Sequence, residues 1–409
     1  MTNIRISNWR FIAFLMAQFL GAFNDNALKL VVSMASLSLI TDAAKQQGYL
    51  AMTSALAILP FILFSGYAGY FADRYAKSNV LRISKGAEIL AMLAVLIIFM
   101  TDQPLTHLLV ALFLLATHSS FFSPSKYSIL PEILHGEALP KANGYLNMLT
   151  FAAIILGSMT GATLWGMFKN APTIIGFILL MIAVVGTCLC LFVPQSPAGN
   201  KAKPFRVNPF SEIIRGVSIA RQEPLLLVCM MGTATFWLLG GLIYLSVILL
   251  GKTQLGLSEA ASGSLFAFLA SGIALGSVAA GYLIARVHSR VLMLIGAMGL
   301  SVGCMLTGVF ATSYMHTAVL MGMIGLGGGL LIVPIVTLLQ KHAPEAVRGQ
   351  VLATSGFFDM FGVLMASGMF WLLGTKLALS AAMTIFVAGC ISLVATLLAV
   401  LLLRRHLAR

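Results

Sequence analysis

Twelve apolar runs, each about as long as a bilayer is thick, dominate this chain. They fall near residues 9–40, 48–72, 79–101, 105–123, 143–166, 172–193, 224–250, 260–285, 291–312, 316–340, 351–373 and 379–403. A helix needs ~20 apolar residues to cross the hydrocarbon core. Inside that core every backbone N–H and C=O must be satisfied within the chain, so continuous runs of this kind dictate helices. A transmembrane barrel would instead alternate apolar and polar residues over segments of about ten. Composition removes the soluble alternative. Of 409 residues 59% are apolar and 9% charged, too little charge to cover a globule and the reverse of a disordered chain. The expected fold is an all-α polytopic membrane protein with twelve transmembrane helices.

One long polar break, 194–223, divides the runs six and six. It contains Lys201, Lys203, Arg206, Arg215 and Arg221, and Ser211 to Arg221 fits a short interfacial helix. The expected organisation is an N-terminal six-helix bundle (1–193), a linker (194–223) and a C-terminal six-helix bundle (224–409), the two bundles being pseudo-symmetric. The net charge of +13 would point to nucleic acid in a soluble protein. Here the basic residues sit in short loops and read as a topology signal, and no nucleic-acid partner is expected. Twenty lysines and arginines lie on the side that holds both termini and the break, four lie on the other side, and Lys29 lies within a run. That asymmetry assigns both termini to the cytoplasm. Arg5 and Arg10 precede a long first run without a small-residue cleavage site, so no cleaved signal peptide is expected. The five cysteines lie within runs, lack metal-ligand spacing and read as buried, reduced packing residues.

A trace of internal repetition supports the two halves. Gly69-Tyr-Phe-Ala-Asp73-Arg74 follows the second run and Gly281-Tyr-Leu-Ile-Ala285-Arg286 follows the eighth; Gly, Tyr and Arg recur at the same offsets, the Asp does not. Gly permits close helix approach, and an Asp–Arg cluster at a helix end can form in one state and break in another. The segment Gly69 to Arg74 followed by Lys77 resembles the loop signature of the major facilitator superfamily, Gly-x-x-x-Asp-Arg and then a basic residue. That resemblance implies a gating role for Gly69, Asp73, Arg74 and Lys77, and for Arg286 in the degenerate copy.

The first run carries the most informative polar residues, in Gln18-Phe-Leu-Gly-Ala-Phe-Asn-Asp-Asn-Ala-Leu-Lys29. Asp25 and Lys29 are four apart and share a helix face with Gln18 and Ser36. At ~1.5 Å per residue Asp25 stands about 24 Å above Trp9. A lipid-exposed charge at such depth is costly, so the stripe should face a wet cavity or another helix. Asp25 and Lys29 suit a zwitterionic ligand, and they also suit each other. A second cluster closes the fourth run, His118-Ser-Ser-Phe-Phe-Ser-Pro124-Ser-Lys126-Tyr127-Ser-Ile-Leu-Pro131-Glu132. Pro124 and Pro131 are expected to break the helix, with Lys126 within reach of a phosphate and Tyr127 at head-group level.

Together these stretches resemble a narrower group, the bacterial lysophospholipid transporter family. Its Gln-Phe-x-x-x-Phe-x-Asp-Asn-Ala pattern is matched by Gln18, Phe19, Phe23, Asp25, Asn26 and Ala27. Its Ser/Gly-Pro-x-Lys-Tyr-x-Ile-Leu-Pro-Glu pattern is matched by Ser123, Pro124, Lys126, Tyr127, Ile129, Leu130, Pro131 and Glu132, and Lys141 to Gly144 match a following Lys-Ala-Asn-Gly. The resemblance is firm over about residues 14–165. It implies alternating-access movement of lysophosphatidylethanolamine-like lysophospholipid from the outer to the inner leaflet of the bacterial inner membrane. It also implies a monomer, contact with membrane lipids, and a functional link to a separate acyltransferase. The substrate-binding candidates are then Gln18, Asp25, Asn26, Lys29, Lys126 and Tyr127. One departure is visible: the seventh run, Leu225 to Leu250, has no basic residue, where some members carry an arginine.

Asp359, in the eleventh run, joins Asp25 as a candidate ion-coupling carboxylate or serves as a partner for the loop after the second run. Lys85 and Glu88 read as a local ion pair. Gly325-x-Gly-Gly-Gly329, Gly157-x-x-x-Gly161 and Gly272-x-x-x-Gly276 read as close helix packing, since no strand precedes them to make a nucleotide loop. No cofactor or metal is expected. The seven histidines are dispersed and none begins a His-x4-Asp, so neither an enzyme nor a fused acyltransferase is expected. The alternative within transport is a proton-coupled carrier of a small molecule such as a drug or siderophore.

Overall fold

The computed structural model describes residues 5–134, 136–196 and 199–407, with the side chains of 43, 259, 260 and 404–407 outside that description. Of the seven histidines, His135 lies outside it, and of the basic residues counted for topology, Arg409 and the side chains of Arg404 and Arg405 do. The described residues form thirteen α-helices and no strand: α1 (Trp9–Leu39), α2 (Ala43–Arg74), α3 (Lys77–Met100), α4 (Leu105–Ile133), α5 (Ala138–Phe168), α6 (Thr173–Leu191), α7 (Pro209–Gln222), α8 (Pro224–Thr253), α9 (Glu259–Leu283), α10 (Ser289–Phe310), α11 (Tyr314–His342), α12 (Arg348–Trp371) and α13 (Ala381–Leu407). Twelve helices are long and apolar enough to cross a membrane. The remaining one, α7, is the short helix expected in the polar break.

Local signals set the boundaries. Asn8 and Asp42 cap α1 and α2 by accepting the amides of Arg10 and Lys45, each at 2.9 Å, and Ser258 and Ser313 cap α9 and α11; each cap satisfies a donor that the helix itself leaves orphaned. One expectation fails here. Pro124 and Pro131 do not break α4, which runs on to Ile133. The turns around them are buried, with Pro124, Ser125, Ser128, Ile129 and Leu130 all enclosed. Packing of this kind holds a membrane helix straight through the loss of a backbone donor. Lys126 and Tyr127 therefore stand on a helix face, not in a loop.

Two compact units are present. The first comprises Met1–Leu134, Ala152–Arg215 and Pro344–Thr354, the second His135–Phe151, Gly216–Ala343 and Ser355–Arg409. In the first, α3 packs on α4 and α6, α2 on α4, and α1 on α6. Its core joins Leu28, Val31 and Val32 of α1 to Met92 and Val95 of α3, Leu112 and Leu115 of α4 and Trp165 of α5. A Cβ on Gly157 or Gly161 would stand 2.4 Å from the Phe23 carbonyl oxygen or 2.3 Å from that of Ala27. The Gly-x-x-x-Gly pair thus lets α5 grip α1 backbone to backbone on either side of Asp25. In the second unit α11 packs on α9 and α10, and glycine again sets the spacing. Cβ atoms on Gly272, Gly276 and Gly325 would fall 2.3, 2.3 and 2.0 Å from carbonyl oxygens of the facing helix. The cysteines are all free; Cys190, Cys229 and Cys304 are buried as expected, whereas Cys188 is exposed on α6.

The repeated Gly-Tyr segments perform matching packing tasks. A Cβ on Gly69 would meet the first turns of α12 at Gln350 Cα, 3.0 Å away, and one on Gly281 would meet the first turn of α5 at Lys141 Cα, also 3.0 Å away. Asn143, two residues on, is buried and donates to Thr337 Oγ1 (3.0 Å) and Gln340 Oε1 (2.7 Å) of α11. The Lys141 to Gly144 motif is therefore a packing element of the second unit.

Candidate functional site

Within the first unit, four helices enclose a cavity of about 120 Å³. Helix α1 contributes Gln18, Gly21, Ala22 and Asp25, α4 contributes His118, Ser119, Phe122, Ser123 and Lys126, and Phe61 and Lys85 come from α2 and α3. Both sets recur at three, four and seven residues, which is one face of a helix. The unbroken α4 creates this arrangement, because only a continuous helix places Lys126 on the same face as Ser119. Pro60, inside α2, precedes Phe61.

Asp25 Oδ2 accepts a hydrogen bond from Ser119 Oγ at 2.6 Å. No ion pair joins Asp25 to Lys29 or to Lys126 among the described residues. Of the two readings left open, mutual pairing of Asp25 with Lys29 is absent, and Asp25 is held by α4. Sharing a stripe does not make two side chains meet, and the neighbouring helix offers a hydroxyl at closer range. Lys29 and Asn26 do not line the cavity; Asn26 Nδ2 donates back to the Ala22 carbonyl at 2.8 Å. Lys126 lies 4.8 Å from the ring centroid of Tyr127, a cation–π contact that steadies the ammonium. Tyr127 itself stays off the cavity lining.

Behind Asp25 lies a polar cluster that sequence reasoning reduced to a local pair. The Lys85–Glu88 ion pair is formed and almost wholly buried. His118 Nε2 stands 3.4 Å from Glu88 Oε2. Asn24 Nδ2 reaches Glu88 Oε1 (3.2 Å) and the Leu179 carbonyl (3.1 Å). Cβ atoms on Gly21 and Gly186 would each stand 3.0 Å from Lys85 Nζ, so these glycines make room for the ammonium. A charged group without water is tolerated only when paired and hydrogen-bonded, and Glu88 supplies both. Asn24 is the buried asparagine of the Asn24-Asp25-Asn26 run, fully enclosed where Asn26 is partly exposed. The available sequence signal was that Gln18, Gly21 and Asn24 or Asp25 share one face of α1 and that His118 and Phe122 share one face of α4.

The gating candidates form a second site at the end of α2. Asp73 Oδ1 accepts from the Gly349 amide (2.6 Å), and Oδ2 accepts from the Gln350 amide (3.0 Å) and Lys203 Nζ (2.9 Å). These two amides belong to the first turn of α12, where backbone donors are unsatisfied and the helix dipole favours an anion. Lys203 Nζ also donates to Gln350 Oε1 at 3.1 Å and lies 3.5 Å from Glu212 Oε2. Arg74 donates through Nη1 to the Lys203 carbonyl, and Lys77 pairs with Glu132. Asp73 and Arg74 therefore do not pair with each other. Arg286 is exposed, and no ion pair engages it among the described residues. Lys203, Glu212 and Gln350 were missed because nothing local in a linker shows which loop it will cover. Asp359 Oδ1 is buried without a hydrogen-bond partner. Among the described residues no group of three His, Cys, Asp or Glu is placed to hold a metal.

Comparison with known proteins places this arrangement. The family model of the Major Facilitator Superfamily matches residues 14–367. The lysophospholipid transporter LplT of Klebsiella pneumoniae (strain 342) is 29% identical over 378 residues, 90% of each chain. The protein of the same name from Yersinia pestis (strain Pestoides F) is 30% identical over 364 residues, 88% of this chain and 85% of that one. In three dimensions a major facilitator superfamily transporter, FucP, in the outward conformation has a TM-score of 0.76 at 11% identity, covering 96% of this chain and 98% of that one. A bacterial homologue of the iron transporter ferroportin, in an outward-facing state, has a TM-score of 0.70 at 18% identity, covering 98% and 100%. The chain is a multi-pass bacterial membrane transporter that belongs to the major facilitator superfamily and, within it, to the lysophospholipid transporter family.

Proposed function

We propose that this transporter moves lysophospholipid from the outer to the inner leaflet of the bacterial inner membrane by alternating access, with both termini in the cytoplasm. The observation that carries this reading is the cavity wall in which Asp25 and Lys126, of opposite charge and not paired with each other, sit beside Phe61 and Phe122. A phosphoethanolamine head group carries an ammonium and a phosphodiester. Asp25 takes the ammonium, with Ser119 fixing its carboxylate, and Lys126 takes the phosphodiester. The cavity is too small for a whole lysolipid, so the acyl chain lies outside it against apolar helix faces and needs no polar contact. The relatives named for lysophospholipid transport support the substrate class.

Asp73 acts as a latch in the transport cycle. It holds the first turn of α12 through two amides, and its release frees that turn, with Gly69 providing the close approach. Lys203 is the counter-charge, and Arg74 and Lys77 fasten neighbouring chain. The transporter works as a monomer and hands its product to a separate acyltransferase. The test is uptake of radiolabelled lysophosphatidylethanolamine into proteoliposomes. Wild type transports it and Asp25→Asn, correctly inserted, does not; undiminished uptake by that variant removes Asp25 from the mechanism. A second reading, a proton-coupled carrier of a small molecule, is favoured by the unpartnered Oδ1 of Asp359. It predicts that excess lysolipid fails to compete with the true substrate.

A further inference from the structure

A second and larger cavity, about 680 Å³, opens at one end of the first unit. Its walls come from the start of α1 (Arg10), the first turns of α3 (Arg82), the end of α4 (Glu132) and the chain leaving α6 (Phe192, Gln195, Ser196). The charge asymmetry assigns this end to the cytoplasm. None of these residues lines the cavity around Asp25, and one of them, Glu132, pairs with the gating candidate Lys77.

The chemistry of the wall is specific. Arg82 is fixed by two hydrogen bonds from Nη2 to the carbonyls of Leu191 (3.1 Å) and Val193 (2.9 Å), while its Nε has no hydrogen-bond partner. Neither Arg10 nor Arg82 enters an ion pair among the described residues. The lone carboxylate, Glu132, is already neutralised by Lys77, which leaves two guanidinium charges uncompensated. Glu132 Oε2 is also without a hydrogen bond, an acceptor left for a hydroxyl or ammonium. Beside them the rings of Trp9 and Phe192 meet edge to face with centroids 5.0 Å apart, and the Arg10 guanidinium lies 5.9 Å from the Trp9 ring. Both rings are half exposed, Trp9 at 55% and Phe192 at 50%, as aromatic side chains at a membrane–water interface are.

Guanidinium groups recognise phosphate oxygens through paired N–H donors, and interfacial rings lie against the glycerol and upper acyl region. We infer that this cavity binds the phosphodiester head group of a phospholipid of the cytoplasmic leaflet, held by Arg10 and Arg82 and flanked by Trp9 and Phe192. The site is independent of the substrate cavity and holds a resident lipid against the ends of α1, α3, α4 and α6.

The experiment is native mass spectrometry of the full-length detergent-purified protein titrated with dioleoylphosphatidylglycerol, with inorganic phosphate as a separate arm. Wild type retains one lipid more tightly than the remainder. Arg10→Gln weakens that event about fivefold, the worth of one basic residue at an anionic lipid surface. The double variant Arg10→Gln with Arg82→Gln weakens it more than about tenfold, whereas Arg82→Lys, which keeps the charge without the paired donors, weakens it less than the double variant. Arg10 is exposed, so its single variant tests the site even if the double variant fails to fold. Equal lipid retention by wild type and Arg10→Gln overturns the proposal. So does displacement of the lipid by millimolar phosphate, which would make the cavity a site for the free anion.

Discussion

Glu88 offers a sharp test of how a charge is kept inside the first unit. It is 0% exposed and its partner Lys85 1% exposed. Glu88→Ala strips the ammonium of its counter-charge and takes an acceptor from Asn24 and from His118. Breaking a buried pair from one side costs about 3–5 kcal/mol, because the surviving charge stays uncompensated. The lost Asn24 bond adds about 1 kcal/mol, although Asn24 keeps the Leu179 carbonyl as a second acceptor. Removing both charges has the opposite logic. Lys85→Met combined with Glu88→Leu leaves no buried ion, and such exchanges range from neutral to about 1–4 kcal/mol stabilising. Here Asn24 and His118 each lose one partner, which offsets part of that gain, so the double variant should fall near the wild type. The assay is thermal unfolding of detergent-purified protein at one fixed scan rate, since membrane-protein melts are often irreversible. The single variant should melt well below the wild type and the double variant close to it. A single variant that melts with the wild type, or a double variant as unstable as the single, refutes the reasoning.

Other outcomes follow from the packing. Gly157→Val drives its Cβ into the Phe23 carbonyl, 2.4 Å away, and should displace α1 and abolish lysolipid uptake; uptake at wild-type rate would show that α5 does not position Asp25. Asp73→Asn removes the nearer of two counter-charges of Lys203, leaving Glu212, and weakens the hold on the Gly349 and Gln350 amides, a loss of about 1.5–3 kcal/mol for bonds to a charged group. Hydrogen exchange of residues 348–354 should quicken in that variant, and unchanged exchange would show that Asp73 does not latch α12. Asn143→Ala should lower the melting temperature, since it deprives buried Thr337 and Gln340 of a partner at about 1–3 kcal/mol; an unchanged melt would show that the site is wet.

Much of this architecture was legible from periodicity. The twelve runs became twelve helices because bilayer thickness leaves a chain no other way to satisfy its backbone. The glycine pairs were legible as helix contacts because two glycines four apart leave a flat strip on one helix face where a neighbouring backbone can approach closely. The site was less so. The stripe through Gln18, Asp25 and Lys29 follows from the helical repeat, yet the repeat does not say which helix lies opposite. Ser119 was therefore missed as the partner of Asp25. Pro124 and Pro131 misled because proline is a strong local signal, and burial, which is not local, overrode it. Glu88 read only as one half of a local i,i+3 pair because its other partners, Asn24 and His118, lie 64 and 30 positions away in the chain. Lys203 and Gln350 illustrate the same limit for the Asp73 latch.

The roles proposed for Asp25 and Lys126 can be separated by changing the head group and not only the protein. Lysophosphatidylethanolamine carries an ammonium, and lysophosphatidylglycerol does not. Binding of both lipids to purified wild type and to Asp25→Asn measures directly whether Asp25 receives that ammonium. The affinity for lysophosphatidylethanolamine should fall about 10- to 100-fold, the worth of a hydrogen-bonded charge, while lysophosphatidylglycerol binding holds or rises. A fall of equal size for both lipids, or for neither, would mean that the head group does not meet Asp25.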